Sequence, residues 1–315
     1  MPRVKVVVTG AAGFIGSHLS ESLLASGHEV VGIDAFTDYY PREAKERNLE
    51  GPRSHRGFRL VEGRLQDIDL RPVLEGARQI FHLAAQAGVR ASWGREFAHY
   101  TDHNVLATQR LLEAARQAGA PRIVYASSSS VYGDAPRLPL REDARCEPVS
   151  PYGVSKLAAE HLAILYERNF GLPVVSLRYF TVYGPRQRPD MAFHRFLKAA
   201  RDGEPIHVFG DGAQTRDFTF VADIVAATRA AADSGRPGRV YNVGGGERIA
   251  LNDVLQRIEE VTGRRLTAIR DEAQKGDMRD TFADTTAAGR DLGFRSTVSL
   301  TQGLEREWQW IRSLA

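Results

Sequence analysis

The chain has 315 residues, of which 43% are hydrophobic and 26% charged; this is enough to bury a large core and excludes collagen, long disorder and coiled coil. The net charge of +3 comes from basic residues scattered among acidic ones, so no nucleic-acid partner is expected, while small anions remain suitable ligands. A single cysteine, Cys146, excludes an intrachain disulfide and a cysteine metal cage and fits a reducing cytoplasm. The chain enters a strand pattern at once after Met1, without an export signal, and holds no run of about 18 apolar residues, so no membrane span is expected.

In chain order, the first half alternates short β-branched runs with helical patterns, the mark of βαβ units and a parallel sheet covered on both faces. Strands are expected at Val4 to Thr9, Glu29 to Asp34, Gln79 to Ala84 and Arg122 to Ser128. Helices are expected at Phe14 to Ser26, Asn104 to Gln117 and Val154 to Asn169, with Gly27, Gly119 and Gly171 at or near their ends. The second and third of these helices carry apolar positions on more than one side. That pattern suits a twin subunit or a wide stripe buried within one chain equally well, and a homodimer is the expectation we carry forward. After Pro185 the alternation weakens into short strands, Gly-rich turns such as Gly210-Asp211-Gly212 and a helix from Leu251 to Thr262, which reads as a second, smaller lobe.

Gly10-Ala11-Ala12-Gly13-Phe14-Ile15-Gly16 joins the first strand to the first helix. Small residues there allow a tight turn and a close approach of backbone to a pyrophosphate at the helix N-terminus. The spacing differs from G-x-G-x-x-G, and a structural turn is the alternative, but strand, loop and helix together favour a dinucleotide. Asp34 ends the second strand 18 residues after Gly16, near the separation of about 20 expected for a carboxylate that binds a ribose diol. A carboxylate there repels a 2′-phosphate and so favours NAD over NADP.

Tyr152 and Lys156 form a Y-x-x-x-K pair whose i, i+4 spacing places phenol and ammonium on one helix face. A free tyrosine titrates near pH ~10, and adjacent positive charge lowers that value towards useful base chemistry. Taken alone, such a pair is more often a solvated helix face. The run from Ser127 to Gly133, at the C-terminal end of a strand where ligands of open α/β sheets bind, shifts the balance, because serine hydroxyls there can relay a proton.

These motifs in this order, with His82-Leu83-Ala84-Ala85 and Arg216-Asp217-Phe218 beside them, resemble the extended short-chain dehydrogenases/reductases across essentially the whole chain, in the nucleotide-sugar epimerase and dehydratase branch. The resemblance implies an α/β fold, a Rossmann-type doubly wound parallel sheet with a smaller mixed α/β substrate-binding lobe. Residues 1–176 plus about 215–243 would hold NAD, and about 177–214 plus 244–315 would hold the nucleotide sugar. It implies Ser128, Tyr152 and Lys156 as catalytic residues, with Tyr152 and Lys156 also touching the cofactor. Gly10, Gly13, Phe14, Ile15, Gly16, Asp34, Leu65, Leu83, Ala84 and Ala85 would line the cofactor. Arg64 stands where many relatives place an aspartate that holds adenine.

The serine run bears on the reaction. Related dehydratases carry an Asp-Glu pair at the positions of Ser129 and Ser130, and related decarboxylases a Glu at that of Ser130; serines cannot supply that acid-base chemistry. Epimerisation at C4 remains. Ser129, Ser130 and Thr181, with the stretch Gly184 to His194, are most similar to UDP-glucuronate 4-epimerases, which implies conversion of UDP-glucuronate to UDP-galacturonate. A UDP-glucose/UDP-galactose 4-epimerase, a UDP-glucuronate decarboxylase and an NAD-sensing binding module are the alternatives. For the substrate we expect contacts from Ser129, Ser130, Thr181, Arg188, Arg216 and Arg90, the last following the strand before Ala87. For Arg188 and Arg216 a surface ion pair is the competing reading. The nine histidines lack ligand spacing, so no metal is expected, and Trp308 and Trp310 read as lobe packing.

Overall fold

The computed structural model describes residues 4–134, 137–272 and 274–314. Seven parallel strands form the main sheet: β1 (Lys5–Thr9), β2 (Glu29–Asp34), β3 (Phe58–Glu62), β4 (Ala77–His82), β5 (Arg122–Ser128), β6 (Val174–Tyr179) and β10 (Val240–Val243). Their order is β10-β6-β5-β4-β1-β2-β3. The order reverses between β1 and β4, and the crevice outside the strand ends at that switch point is where a doubly wound sheet takes its ligand.

The side chains of β1 explain why the sheet is covered twice. Val6 and Val8 enter one core with helix α1 (Phe14–Ala25), whereas Val7 enters a second core with helix α2 (Ala107–Gln117) and helix α3 (Pro151–Phe170). All three valines are fully buried, so the run shows no polar alternation.

The lobe is built from β7 (Thr181–Tyr183), β9 (Thr215–Phe220) and β11 (Glu247–Ala250) in the order β11-β9-β7, with β8 (Ile206–Phe209) paired to β12 (Ala268–Asp271). Asp217 on β9 is fully buried and accepts the backbone N–H groups of Gly245 and Ala283 at 2.7 and 2.8 Å, tying two lobe connections to the sheet. Trp308 and Trp310 pack half-buried against the lobe core.

Several boundaries differ from expectation. Strand β4 ends at His82 and not at Ala84, because the Ala84 N–H leaves the ladder and donates to Thr9 Oγ1 at 3.1 Å. The helix expected from Asn104 begins earlier, at Phe97, and runs through a π-helical turn over Thr101–Leu106 before α2. Strand β9 pairs with β7 and β11 and not with the main sheet, in which β6 runs to Tyr179. Sequence reading also did not single out β3, β6 and β10 as strands of the main sheet.

Candidate active site

Two clefts meet over the C-terminal ends of the strands. The first is lined by Gly10, Gly13, Phe14, Ile15, Gly16, Asp34, Leu65, Leu83, Ala84 and Ala85, so every residue expected at the cofactor lies on one wall system. The second is lined by Ser128, Ser129, Ser130, Thr181, Arg90 and Arg216, all expected at the substrate. Tyr152 and Arg188 border both clefts, while Lys156 lines the first.

The glycines of the loop let backbone pack closely against backbone. A Cβ on Gly10, whose φ is +71°, would meet Ala84 N at 2.9 Å, and one on Gly16 would lie 2.0 Å from the Gly10 carbonyl oxygen. The N-cap of α1 is Gly13, without a side-chain cap and without an acidic residue in the first turn, so the first amides of the helix are left for an anion. Since backbone opposes a Cβ at Gly16, the loop of a Gly16→Ala variant has to open. We expect the isolated variant to retain less than a tenth of the dinucleotide held by the parent, measured by absorbance of the denatured protein's supernatant, with a lowered Tm.

Asp34 is buried, with Oδ2 accepting the Ala12 N–H at 3.0 Å and Oδ1 that of Phe36 at 2.9 Å. Burial pushes its carboxyl upward; the Lys45 ammonium and the two amides oppose that. Both oxygens retain acceptor capacity for a ribose diol. Leu65 is buried on the same wall, and Arg64 beside it turns its charge onto Asp102 and, at 3.4 Å, Asp67. Asp67 thus has a structural partner in this chain. Sequence reasoning missed Tyr39, Tyr40, Lys45, Gln66 and His103, which also line this cleft. They lie in loops and short helices whose placement no period in the sequence reveals.

The catalytic candidates are presented by a well-signalled helix start. Ser150 caps α3, accepting the Gly153 N–H at 3.1 Å, and Pro151 occupies the first turn, so Tyr152 sits at the mouth of the helix, earlier than the expected start at Val154. Burial raises the Tyr152 phenol; the Ser128 hydroxyl beside it and the Arg188 charge pull it back. Ser128 Oγ accepts the Ser130 N–H at 3.1 Å, which leaves its own proton free for donation. Lys156 donates to the Ala126 carbonyl at 2.6 Å and lies 4.5 Å from the Tyr125 ring centre. Its burial lowers the ammonium to about 7.

Behind these groups, Asn104 on the π-turn holds the cleft loop and α3 together. Its Oδ1 accepts the Gln86 N–H at 2.7 Å, and its Nδ2 donates to Gln86 O at 3.0 Å and to Ser155 Oγ at 2.9 Å. Sequence reading gave Asn104 no role, since a π-turn has no sequence signal of its own. His82 lies between Thr9 Oγ1 at 2.8 Å and Thr108 Oγ1 at 2.9 Å. Thr108 spends its proton on Asn104 O at 2.6 Å and must accept from the histidine, so His82 carries its proton on Nε2. Complete burial, with Lys156 nearby, lowers it to about 3 and keeps it neutral.

In the second cleft, Ser129 is buried and Ser130 half-buried. Arg90 pairs with Asp277 at 2.7 Å and stacks 4.2 Å from the Phe209 ring centre. Arg216 donates to the Thr215 and Arg279 carbonyls at 3.0 and 2.9 Å. Arg188 donates from Nε and Nη2 to Asp190, each at 2.9 Å. Among the described residues no cluster of three or more histidine, cysteine or acidic side chains forms a metal cage, and no helix is long and apolar enough to cross a membrane.

The chain is 44% identical over 315 residues to the Bacillus subtilis protein YtcB, described as an uncharacterized UDP-glucose epimerase, covering 99% of each. Among solved structures it is similar to the UDP-glucuronic acid 4-epimerase of Bacillus cereus in complex with UDP-glucuronic acid and NAD. That match has 42% identity and a TM-score of 0.96, covering 99% of this chain and 100% of the other. It is also similar to MoeE5 in complex with UDP-glucose and NAD, at 44% identity and a TM-score of 0.90, covering 99% of this chain and all of the other. Residues 6–244 match the family described as NAD dependent epimerase/dehydratase, and the chain belongs to that family.

Proposed function

We propose that this protein is an NAD-dependent UDP-glucuronate 4-epimerase, an isomerase that interconverts UDP-glucuronate and UDP-galacturonate. The observation that carries the reading is the position of Tyr152, at the junction of the two clefts with Ser128 beside its phenol and neutral Ser129, Ser130 and Thr181 on the sugar side. The B. cereus epimerase, similar over nearly the whole chain, supports the substrate.

The cofactor-side residues fit a dinucleotide: Gly10, Gly13, Phe14, Ile15 and Gly16 would face its pyrophosphate, Asp34 its ribose diol, and Leu65, Leu83, Ala84 and Ala85 its flanks. NAD, when bound, supplies hydride acceptance and return at the sugar C4. As the phenolate, Tyr152 takes the O4 proton on its oxygen and returns it, and Ser128 donates its free proton to hold O4. Lys156 would orient the ribose near its ammonium and add positive charge near the phenol. Ser129, Ser130 and Thr181 offer neutral donors to the C6 carboxylate. Such bonds hold the carboxylate in place relative to the ring, and a 4-keto uronate keeps its carboxylate when the C5–carboxylate bond stays out of the perpendicular to the carbonyl plane. Arg188 borders the sugar, Arg216 would meet the pyrophosphate and Arg90 the sugar-nucleotide entrance.

In this reading residues 1–179 and 221–243 form the cofactor half and the remainder the sugar lobe. Leu106, Val154, Leu165 and Phe170 are exposed on and beside the packed helices α2 and α3, which supports a homodimer through that face. The free Cys146 supports a cytoplasmic location.

The test is incubation of the purified protein with UDP-glucuronate without added cofactor, followed by proton NMR, with a parallel UDP-galactose sample. UDP-galacturonate is expected. Turnover of UDP-galactose alone would replace the reading by a neutral hexose epimerase, a UDP-pentose would indicate decarboxylation, and silence after addition of NAD would leave a binding module.

A further inference from the structure

Arg188 is the guanidinium that borders both clefts beside Tyr152, and its charge is already spoken for. Nε and Nη2 each donate at 2.9 Å to the two oxygens of Asp190, a bidentate pair, while Nη1 has no partner among the described residues. Tyr39, from the loop after β2 in the cofactor half, donates its hydroxyl to Asp190 Oδ2 at 3.3 Å and places its ring centre 5.9 Å from the guanidinium carbon. The pair sits on a segment with little freedom. Gly184 N–H is held by the buried Glu307 carboxylate at 2.8 Å, and Gln187 bonds both Val182 O at 3.1 Å and His194 N at 2.9 Å.

A guanidinium with an empty fork would grip a sugar carboxylate by two charge-assisted bonds and would rank an acidic sugar far above a neutral one. Here the Arg188–Asp190 unit is formally neutral, and one edge of the fork is filled. An incoming carboxylate would meet the remaining edge while also facing the Asp190 charge behind it. We propose that Asp190 is a specificity-determining positioning residue: by pairing with Arg188 and bridging it to Tyr39, it cancels the cation at the catalytic end of the sugar cleft. The cleft then favours a C6 carboxylate over a C6 hydroxymethyl only modestly. This rests on the reading of the cleft as a UDP-sugar site with Arg188 bordering the sugar.

The experiment compares kcat/KM for UDP-glucuronate and for UDP-galactose in the parent, in Asp190→Asn, in Arg188→Gln and in the double variant. Dissociation constants of both sugar nucleotides are measured by calorimetry in a Tyr152→Phe background. Any effect of the exposed Arg188 charge on Tyr152 acts on both sugars and drops out of the ratio. Asp190→Asn is expected to raise the acid-to-neutral ratio by about tenfold, the margin of a charge-assisted over a neutral hydrogen bond. The change should appear in KM and in the dissociation constant of UDP-glucuronate. Without Arg188 the same substitution should leave the ratio unmoved. A ratio unchanged within about twofold, a shift towards the neutral sugar, or a shift that persists without Arg188 would overturn the proposal. If instead the parent turns over neither sugar, the underlying reading fails, and the calorimetric ratio still decides whether Asp190 sets the preference for the carboxylate.

Discussion

Tyr152→Phe is expected to lower kcat for UDP-glucuronate by about 10³-fold, within the range of general acid-base catalysis, while the fold and sugar binding stay intact. The phenylalanine keeps the ring and its edge contact with Tyr100, whose centre lies 6.2 Å away, so packing is nearly unchanged. What disappears is the one oxygen that lies beside Ser128 at the meeting point of both clefts. Burial holds the phenol above its ordinary value, with Ser128 and Arg188 opposing, so little phenolate is present near neutrality and the parent rate should rise with pH there. The residual rate of the variant should lack that rise. NMR turnover across pH, with Tm measured in parallel, checks both points. A variant that retains more than a tenth of the parent rate would show that another group takes the O4 proton.

Glu160→Gln is expected to cost about 3–5 kcal/mol of stability, the usual penalty for breaking a buried ion pair from one side. Glu160 is almost fully buried, one helical turn beyond Lys156 on α3. Its Oε1 accepts from Arg178 Nη2 at 2.6 Å, and its Oε2 from Arg178 Nε at 3.0 Å and from Ser127 Oγ at 2.6 Å. The amide variant leaves the Arg178 guanidinium buried without a counter-charge. A whole domain holds only about 5–15 kcal/mol, so the loss should be plain in urea melts. Arg178→Met added to Glu160→Gln should recover most of it, since the orphaned charge is then gone. A single-variant loss below about 1 kcal/mol would mean that water reaches the pair. The cluster also ties the end of β5, which carries Ser128, to the helix that carries Tyr152, so fold stability and catalytic spacing share these bonds.

Much of the site was legible because its chemistry is local in sequence. The strand, glycine turn and helix from Lys5 to Ala25 are read from β-branched residues followed by small ones, and Asp34, the acid expected at the ribose, follows at the end of the next strand. Tyr152 and Lys156 need only helical spacing to share a face. The Ser150-Pro151 cap that starts their helix was present in the sequence, and its neglect moved the expected start from Pro151 to Val154.

What only the tertiary structure decided involves partners far apart in the chain. The pattern of strand β9 suits either sheet; pairing with β7 and β11, and the Asp217 carboxylate that binds Gly245 and Ala283, place it in the smaller sheet. On the π-turn, the Asn104 side chain serves Gln86 and Ser155 together. Arg188 and Asp190 pair across only two residues, but the Tyr39 hydroxyl that donates to Asp190 comes from a loop 151 residues away in sequence. Periodicity records which face of an element is apolar. It carries no information on which two faces or charges meet, because that is set by long-range packing, where buried charge must find its counter-charge and buried N–H groups their acceptors.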